Sequence, residues 1–301
     1  MPTRAALCSL IANAALNRTM PRGRPPYLPE YESPPIAEVA LSLQFAPILQ
    51  FQNIHAGLLW KNFMRSYPDV EEQPPIAPVF ETFGMPPALV PPPQIQLLTT
   101  MPGARYWFIS ADGNELLQVQ QDRLIHNWRR QSEGDKYPRY ETLRKRFYAE
   151  VEKVRKFLKA EKMGAISPNQ CEVTYINHID FGDGGDPTSH FGDVFSLWCD
   201  EYSNDFLQHI EGGLFNVRYV LEDDRGEPYG RLHASAQHVI HRRTSRSLIQ
   251  FTLVARGKPK QETLISAFEW LDQGRAAIVK GFDALTRPEM HERWRRINAN
   301  S

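Results

Sequence analysis

Two neighbouring strand-like runs, ELLQVQ and RLIHNWR, concentrate hydrogen-bonding and stacking side chains between residues 115 and 140. Gln118 and Gln120 share one face of the first run, while Arg123, Asn127, Trp128 and Arg129 crowd the second. Amides donate and accept, a guanidinium grips carboxylate or phosphate, and an indole stacks, so these residue types together make binding chemistry. Gln118, Gln120, Arg123, Asn127, Trp128 and Arg129 therefore form a candidate ligand- or partner-binding set. The bland alternative is the solvated face of a sheet, with Trp128 packed beneath a helix. Tyr137 and Tyr140 follow closely, and Tyr140 joins the candidates at the start of the next helix.

A second candidate pair lies in VTYINHI. Tyr175 and Asn177 alternate with Val173 and Ile179 on the apolar side of a strand. A buried amide there must find partners or cost about 1–3 kcal/mol, so Asn177 is either a backbone-bonded structural amide or a ligand contact. His238, among Leu232, Ala234, Ala236 and Ile240, reads as a core histidine. The loop DFGDGGDPTSHFGD offers Asp180, Asp183, Asp186, His190 and Asp193, but its spacing is not that of a calcium-binding loop, and no metal is assigned. Its DFG tripeptide stands without the Gly-rich loop, lysine and HRD motif of a kinase. Nothing resembles a GxSxG elbow, a P-loop or a GxGxxG turn, and Cys199 reads as packed within a helix. No catalytic residue and no cofactor are assigned.

These groups must be positioned by a chain of 301 residues with 42% hydrophobic content, enough for one large domain or two ordinary ones. Three scattered cysteines make no disulfide framework and favour a reducing compartment, with the cytoplasm expected. No apolar run approaches the roughly 18 residues that a bilayer span requires. The opening MPTRAALCSLIANAALNRTM weakly imitates a secretion signal, but Asn13 breaks its apolar stretch. Residues 1–33 are expected to form a flexible, Pro-rich leader, with Met1 or Met20 as the start. Formal charge sums to zero but is segregated: residues 123–162 hold thirteen Lys/Arg against six Asp/Glu, and residues 163–217 hold nine Asp/Glu and no Lys/Arg. Mutual neutralisation of these two stretches across an intramolecular face stands beside an external partner as the reading of this segregation.

Periodicity predicts a strand over residues 35–45, a short helix from Asn53 to Tyr67 with Ile54, Leu58, Leu59, Phe63 and Met64 apolar, and a break at Pro68. Residues 74–93 hold eight of the 24 prolines and predict an irregular loop. A meander follows over 105–110, 115–120 and 124–128, then a long helix striped by Leu143, Phe147, Val151, Val154 and Leu158. The second half repeats the order: a strand at 171–180, a helix at 191–207, a meander at 214–221, 230–240 and 247–255, and a helix at 262–285. Thr286 with Glu289 predicts a capping box for a last short helix. The fold expected is α+β, built from two similar β-α-β-β-β-α units over residues 34–164 and 165–301. Each unit is an antiparallel sheet covered by a long helix, by analogy with helix-grip or TATA-binding-protein-like architectures.

The combination of PPIAEVALSLQF, LLQVQQDRLIHNWRR, KYPRYE, VTYINHI and FDALTRPEMHERW resembles a sporadically distributed prokaryotic family of no established activity. The resemblance spans residues 34–294, and the leader departs from it. It implies a prokaryotic, cytosolic protein and leaves function open. The function expected is a non-catalytic binding or interaction protein with a protein or small-molecule partner, possible as a homo-oligomer and without membrane association. Two alternatives stand beside it: an enzyme acting on a small molecule in a sheet–helix pocket, and a nucleic-acid-binding accessory protein. The basic residues Arg130, Arg139, Arg144, Lys145 and Arg146 and the turn at 241–246 would serve the last, but a pI near 7.1 argues against a dedicated nucleic-acid binder.

Overall fold

The computed structural model describes residues 28–84, 103–181, 191–198, 206, 212–241 and 244–297. The chain runs β1 (Glu30–Tyr31), β2 (Ile36–Phe45), α1 (Asn53–Trp60), β3 (Asp69–Gln73), β4 (Arg105–Ile109), β5 (Glu115–Gln120), β6 (Arg123–Arg129) and α2 (Tyr140–Ala160). It continues through β7 (Pro168–Ile179), α3 (Phe191–Val194), β8 (Leu214–Glu222), β9 (Pro228–Ile240), β10 (Ser247–Gly257), α4 (Leu264–Leu285), α5 (Pro288–Arg293) and β11 (Arg296–Ile297). Nine strands form one antiparallel sheet in the order β3-β4-β5-β6-β2-β7-β10-β9-β8, and β1 pairs with β11 in a separate ribbon. The protein is α+β. Among the described residues no helix is long and apolar enough to cross a membrane.

One face of the sheet is apolar because the period-2 pattern of every central strand agrees with its neighbour's register. Val39, Leu41 and Leu43 of β2 oppose Trp128, His126 and Leu124 of β6 on one side, and Tyr175, Val173 and Cys171 of β7 on the other. That face is covered by α2, whose Leu143, Phe147, Val151, Val154 and Leu158 are buried, and by α4, which buries Phe268, Leu271, Ile278 and Phe282. The two helices touch through Phe147 and Phe268, whose rings lie 5.6 Å apart. They are also joined by Arg144, which grips Asp272 with Nε 2.6 Å and Nη2 2.8 Å from the two carboxylate oxygens.

The opposite face is polar and carries a strap. Residues 74–83 leave β3 and cross the sheet, but Pro74, Pro75 and Pro78 lack the N–H that a ladder needs, so side chains hold them instead. Gln120 pairs with Ile76 as a peptide group would, accepting from its N–H at 2.8 Å and donating to its carbonyl at 2.8 Å. Gln44 accepts from Val79 N at 2.9 Å, and Arg123 donates to the Ala77 carbonyl at 3.1 Å. The far end is latched by Glu81, which meets Arg231, His233 at 2.7 Å and Arg256 at 3.3 Å. Burial opposes the charge of Glu81, but the hydrogen bond from His233 and the fields of His233, Arg231 and Arg256 outweigh it and hold the carboxyl below its usual range.

Several expectations are corrected. Helix α1 stops at Trp60 and is capped by Gln52; it buries Ala56 and Leu59, while Ile54 and Leu58, and Met64 beyond its end, are exposed. Of the helix expected over 191–207, residues 191–194 are helical; Phe195 then bridges to Thr286, so among the described residues 191–198 a backbone pairing to the end of α4 replaces helix propagation. Thr286 does not open a capping box: its hydroxyl donates back to the Phe282 carbonyl at 2.6 Å and closes α4, while Arg287 caps α5. Strand β3 and the β1–β11 ribbon lacked a sequence signal, being an acidic edge of DVEEQ and two two-residue strands. Arg146 reaches Glu115 and Arg144 reaches Asp272, whereas Glu172 and Asp180 pair with Arg256 and Arg246.

Candidate functional site

The candidate residues separate by strand face. Gln118, Gln120, Arg123 and Asn127 lie on the polar face, and Trp128 lies on the apolar one, as the β5–β6 register requires. Gln118 donates to Asn127 at 2.7 Å and accepts from the indole of Trp107 at 3.1 Å and from Arg105; Asn127 donates to Glu38 at 2.6 Å. These amides are buried and consumed by one another, while Gln120 and Arg123 hold the strap. Trp128 is buried against Tyr137, with ring centroids 5.5 Å apart, and supplies packing. Arg129 donates to the Gly113 carbonyl at 3.0 Å and lies 5.8 Å above the Trp107 ring, at the rim of the polar face.

Tyr140, Tyr175 and Asn177 converge elsewhere. They line a cavity of about 80 Å³ between the sheet and the two covering helices. Tyr175 and Asn177 come from β7, Tyr137 from the segment before α2, Tyr140 from the first residue of α2, and Arg275 from α4. The walls are completed by Ile36, Leu253, Ile278 and Phe282, and the mouth is flanked by Glu30 and Arg139, 3.6 Å apart. Asn177 donates to the Phe251 carbonyl at 3.1 Å, so it is the backbone-bonded buried amide and a cavity wall at once. The hydroxyls of Tyr137 and Tyr175 are 2.9 Å apart. Tyr140 donates to Asp272 at 2.8 Å and so lies beside the Arg144–Asp272 clamp.

Arg275 is the residue that sequence reading missed. It is 4% exposed, its Nη2 is 3.4 Å from Glu141, its guanidinium lies 5.3 Å over the Tyr140 ring, and its Nε finds no partner among the described residues. A lone arginine in an amphipathic helix reads as the solvated side, and only the packing of α4 turns it inward. Burial pushes the phenols of Tyr137, Tyr140 and Tyr175 above their usual range, reinforced for Tyr137 by Tyr175 and for Tyr140 by Asp272. At neutral pH they are therefore neutral donors and acceptors rather than bases. A cation with phenols at one end and hydrocarbon walls at the other suits a small anion-headed, apolar-tailed molecule.

A further polar group lies beneath α2. His126, fully buried, sets Nδ1 2.9 Å from Glu150, which also accepts from the hydroxyl of Tyr67. It opens onto neither this cavity nor the polar face and reads as a structural network. His238 accepts from Gly213 N at 3.2 Å and packs its ring 4.7 Å from that of Phe191, leaving Nε2 buried without a partner among the described residues. Asp183, Asp186, His190, Cys199, Arg242, Arg243 and Cys8 lie outside the described residues. Cys171 is a buried thiol whose pKa burial raises, which suits a packing role.

Compared with known proteins, the chain matches no family model, no curated protein and no solved structure.

Proposed function

We propose that the protein is a non-catalytic binding module that holds a small organic anion in the cavity between sheet and helices. Arg275 takes the anionic head, Tyr137 and Tyr175 orient it, and Ile36, Leu253, Ile278 and Phe282 surround an apolar tail. The observation that carries this reading is the buried guanidinium of Arg275, whose Nε has no partner among the described residues and which lines a cavity several times larger than one water needs. The test is calorimetric titration with straight-chain monocarboxylates from acetate to hexanoate, on the unmodified chain and on Arg275→Met. Affinity that rises with chain length and is lost in Arg275→Met supports the reading. Absence of binding across the series, or equal binding by the variant, rejects it.

We also infer that residues 34–164 and 165–301 are two similar units joined edge to edge. The order of strands is mirrored about the β2–β7 seam: β2 is flanked by β6, β5 and β4, and β7 by β10, β9 and β8, with one long helix following each meander. The motifs that resemble the sporadically distributed prokaryotic family fall on β2, β5, β6, β7 and the α4–α5 junction. Membership of that family and a cytoplasmic location are part of the same proposal.

A further inference from the structure

A groove of about 720 Å³ opens on the polar face, at the end of the sheet away from the strap. Its volume lies in the range of small-molecule sites, and it shares no lining residue with the cavity under the helices. One wall is the end of β6 and the segment after it, which present Arg129 and Arg130. The opposite wall is formed by His241, Thr244 and Arg246, and the floor by Ile176, His178 and Gln250.

Hydrogen bonds within the chain tie residues of both walls. The carboxylate of Asp135 accepts from Asn114 Nδ2 at 2.7 Å, Gln131 N at 2.8 Å, Ser132 N at 2.7 Å and Ser132 Oγ at 2.9 Å, which clamps the segment after Arg130. The backbone of Arg130 donates to the Ala37 carbonyl at 2.7 Å, and its side-chain Nε is buried without a partner among the described residues. Across the groove, His241 Nδ1 lies 2.9 Å from Thr244 Oγ1, and its backbone N–H donates to the Arg246 carbonyl at 2.8 Å.

Acidic groups of the groove are engaged or peripheral. Glu38 accepts from Asn127, and its burial raises its pKa; Asp180 is 3.5 Å from Arg246; Glu133 is exposed at the rim. At the floor, burial first, then His241, with Arg130 adding, hold His178 below its usual range despite a hydrogen bond to Gln250. Arginines arriving from two walls suit a phosphoryl group, whose several oxygens accept from more than one direction, better than a planar carboxylate.

We propose that this groove is a second ligand site, which takes the phosphoryl group of a small phosphorylated molecule on Arg129, Arg130 and Arg246, with His178 beneath it. The test is a titration of the full chain, carrying isotope-labelled histidine, with inorganic phosphate, pyrophosphate and acetate at pH 7 and low salt, followed by NMR. Pyrophosphate is expected to bind more tightly than acetate and to raise the pKa of His178. Arg130→Gln and Arg246→Gln are each expected to weaken binding about tenfold or more, while Arg155→Gln on the exposed side of α2 leaves it unchanged. Arg246 is half-exposed in a turn, so Arg246→Gln tests the site even where Arg130→Gln fails to fold. Lack of pyrophosphate binding, a His178 signal that does not respond, equal displacement by chloride and acetate, or binding unaffected by Arg246→Gln would each overturn the proposal.

Discussion

Replacing Arg275 by methionine separates a residue kept for a ligand from one kept for the fold. The guanidinium is 4% exposed, and an unpaired buried N–H costs about 1–3 kcal/mol, which the substitution relieves. Against that, the substitution loses the 3.4 Å contact to Glu141, a side chain over a third exposed and so worth at most about 1 kcal/mol. It also loses the cation–π contact to Tyr140, worth about 0.5–2 kcal/mol, and a polar contact with the Tyr175 hydroxyl, which keeps Tyr137 as its partner. Methionine is unbranched and fills much of the same volume. The opposing contributions nearly cancel, so Arg275→Met is expected to change unfolding free energy by no more than about 1 kcal/mol, measured by urea titration followed by circular dichroism. The control is Arg144→Met, which breaks the paired hydrogen bonds to Asp272 and leaves that carboxylate with only the Tyr140 hydroxyl beside it and no opposite charge; a loss of about 2 kcal/mol is expected. A loss above about 2 kcal/mol in Arg275→Met would refute the reasoning, because it would mean that the fold already uses every polar atom of Arg275.

Glu150→Ala removes the shared acceptor of the buried Tyr67 hydroxyl and His126 Nδ1, and is expected to cost about 2–4 kcal/mol in the same assay, from two polar groups orphaned together. Gly257→Ala would place a Cβ against the Tyr229 carbonyl oxygen and 2.7 Å from the Trp270 ring, and a loss of about 1–3 kcal/mol with disturbed Trp270 fluorescence is expected. The strap is expected to release in acid before the rest of the fold. The folded pKa of Glu81 lies below its unfolded value of about 4.5, so its contribution is complete above that value and is lost as pH falls through the folded pKa. Amide resonances of Ile76 and Val79 followed from pH 6 downward check this, and signals unchanged up to global unfolding would contradict it.

Period and punctuation in the chain were sufficient for the long elements. The alternation in VALSLQF and VTYINHI, and the 3.6-residue stripe from Leu143 to Leu158, are local properties, and they mark the strands and helix that build the core. Short elements were not legible, because two-residue strands and an acidic edge carry too few residues to show a period. Asn177 could be flagged because an amide on an apolar face must be satisfied, whichever partner satisfies it.

By itself, then, the sequence determined an α+β chain with apolar strand faces, two long amphipathic helices, and a surplus of amides and arginines on one pair of strands. Tertiary structure decided what those polar residues do. Strand register put Gln118 and Asn127 into one closed network and gave Gln120 and Arg123 to the strap, while Trp128 turned to the opposite face. Helix packing brought Arg275 against Tyr140 and Tyr175, residues a hundred or more positions away in the chain. Periodicity reports which side of an element is buried, but the groups that meet there depend on the rotation and register of the facing element, and no single element encodes those.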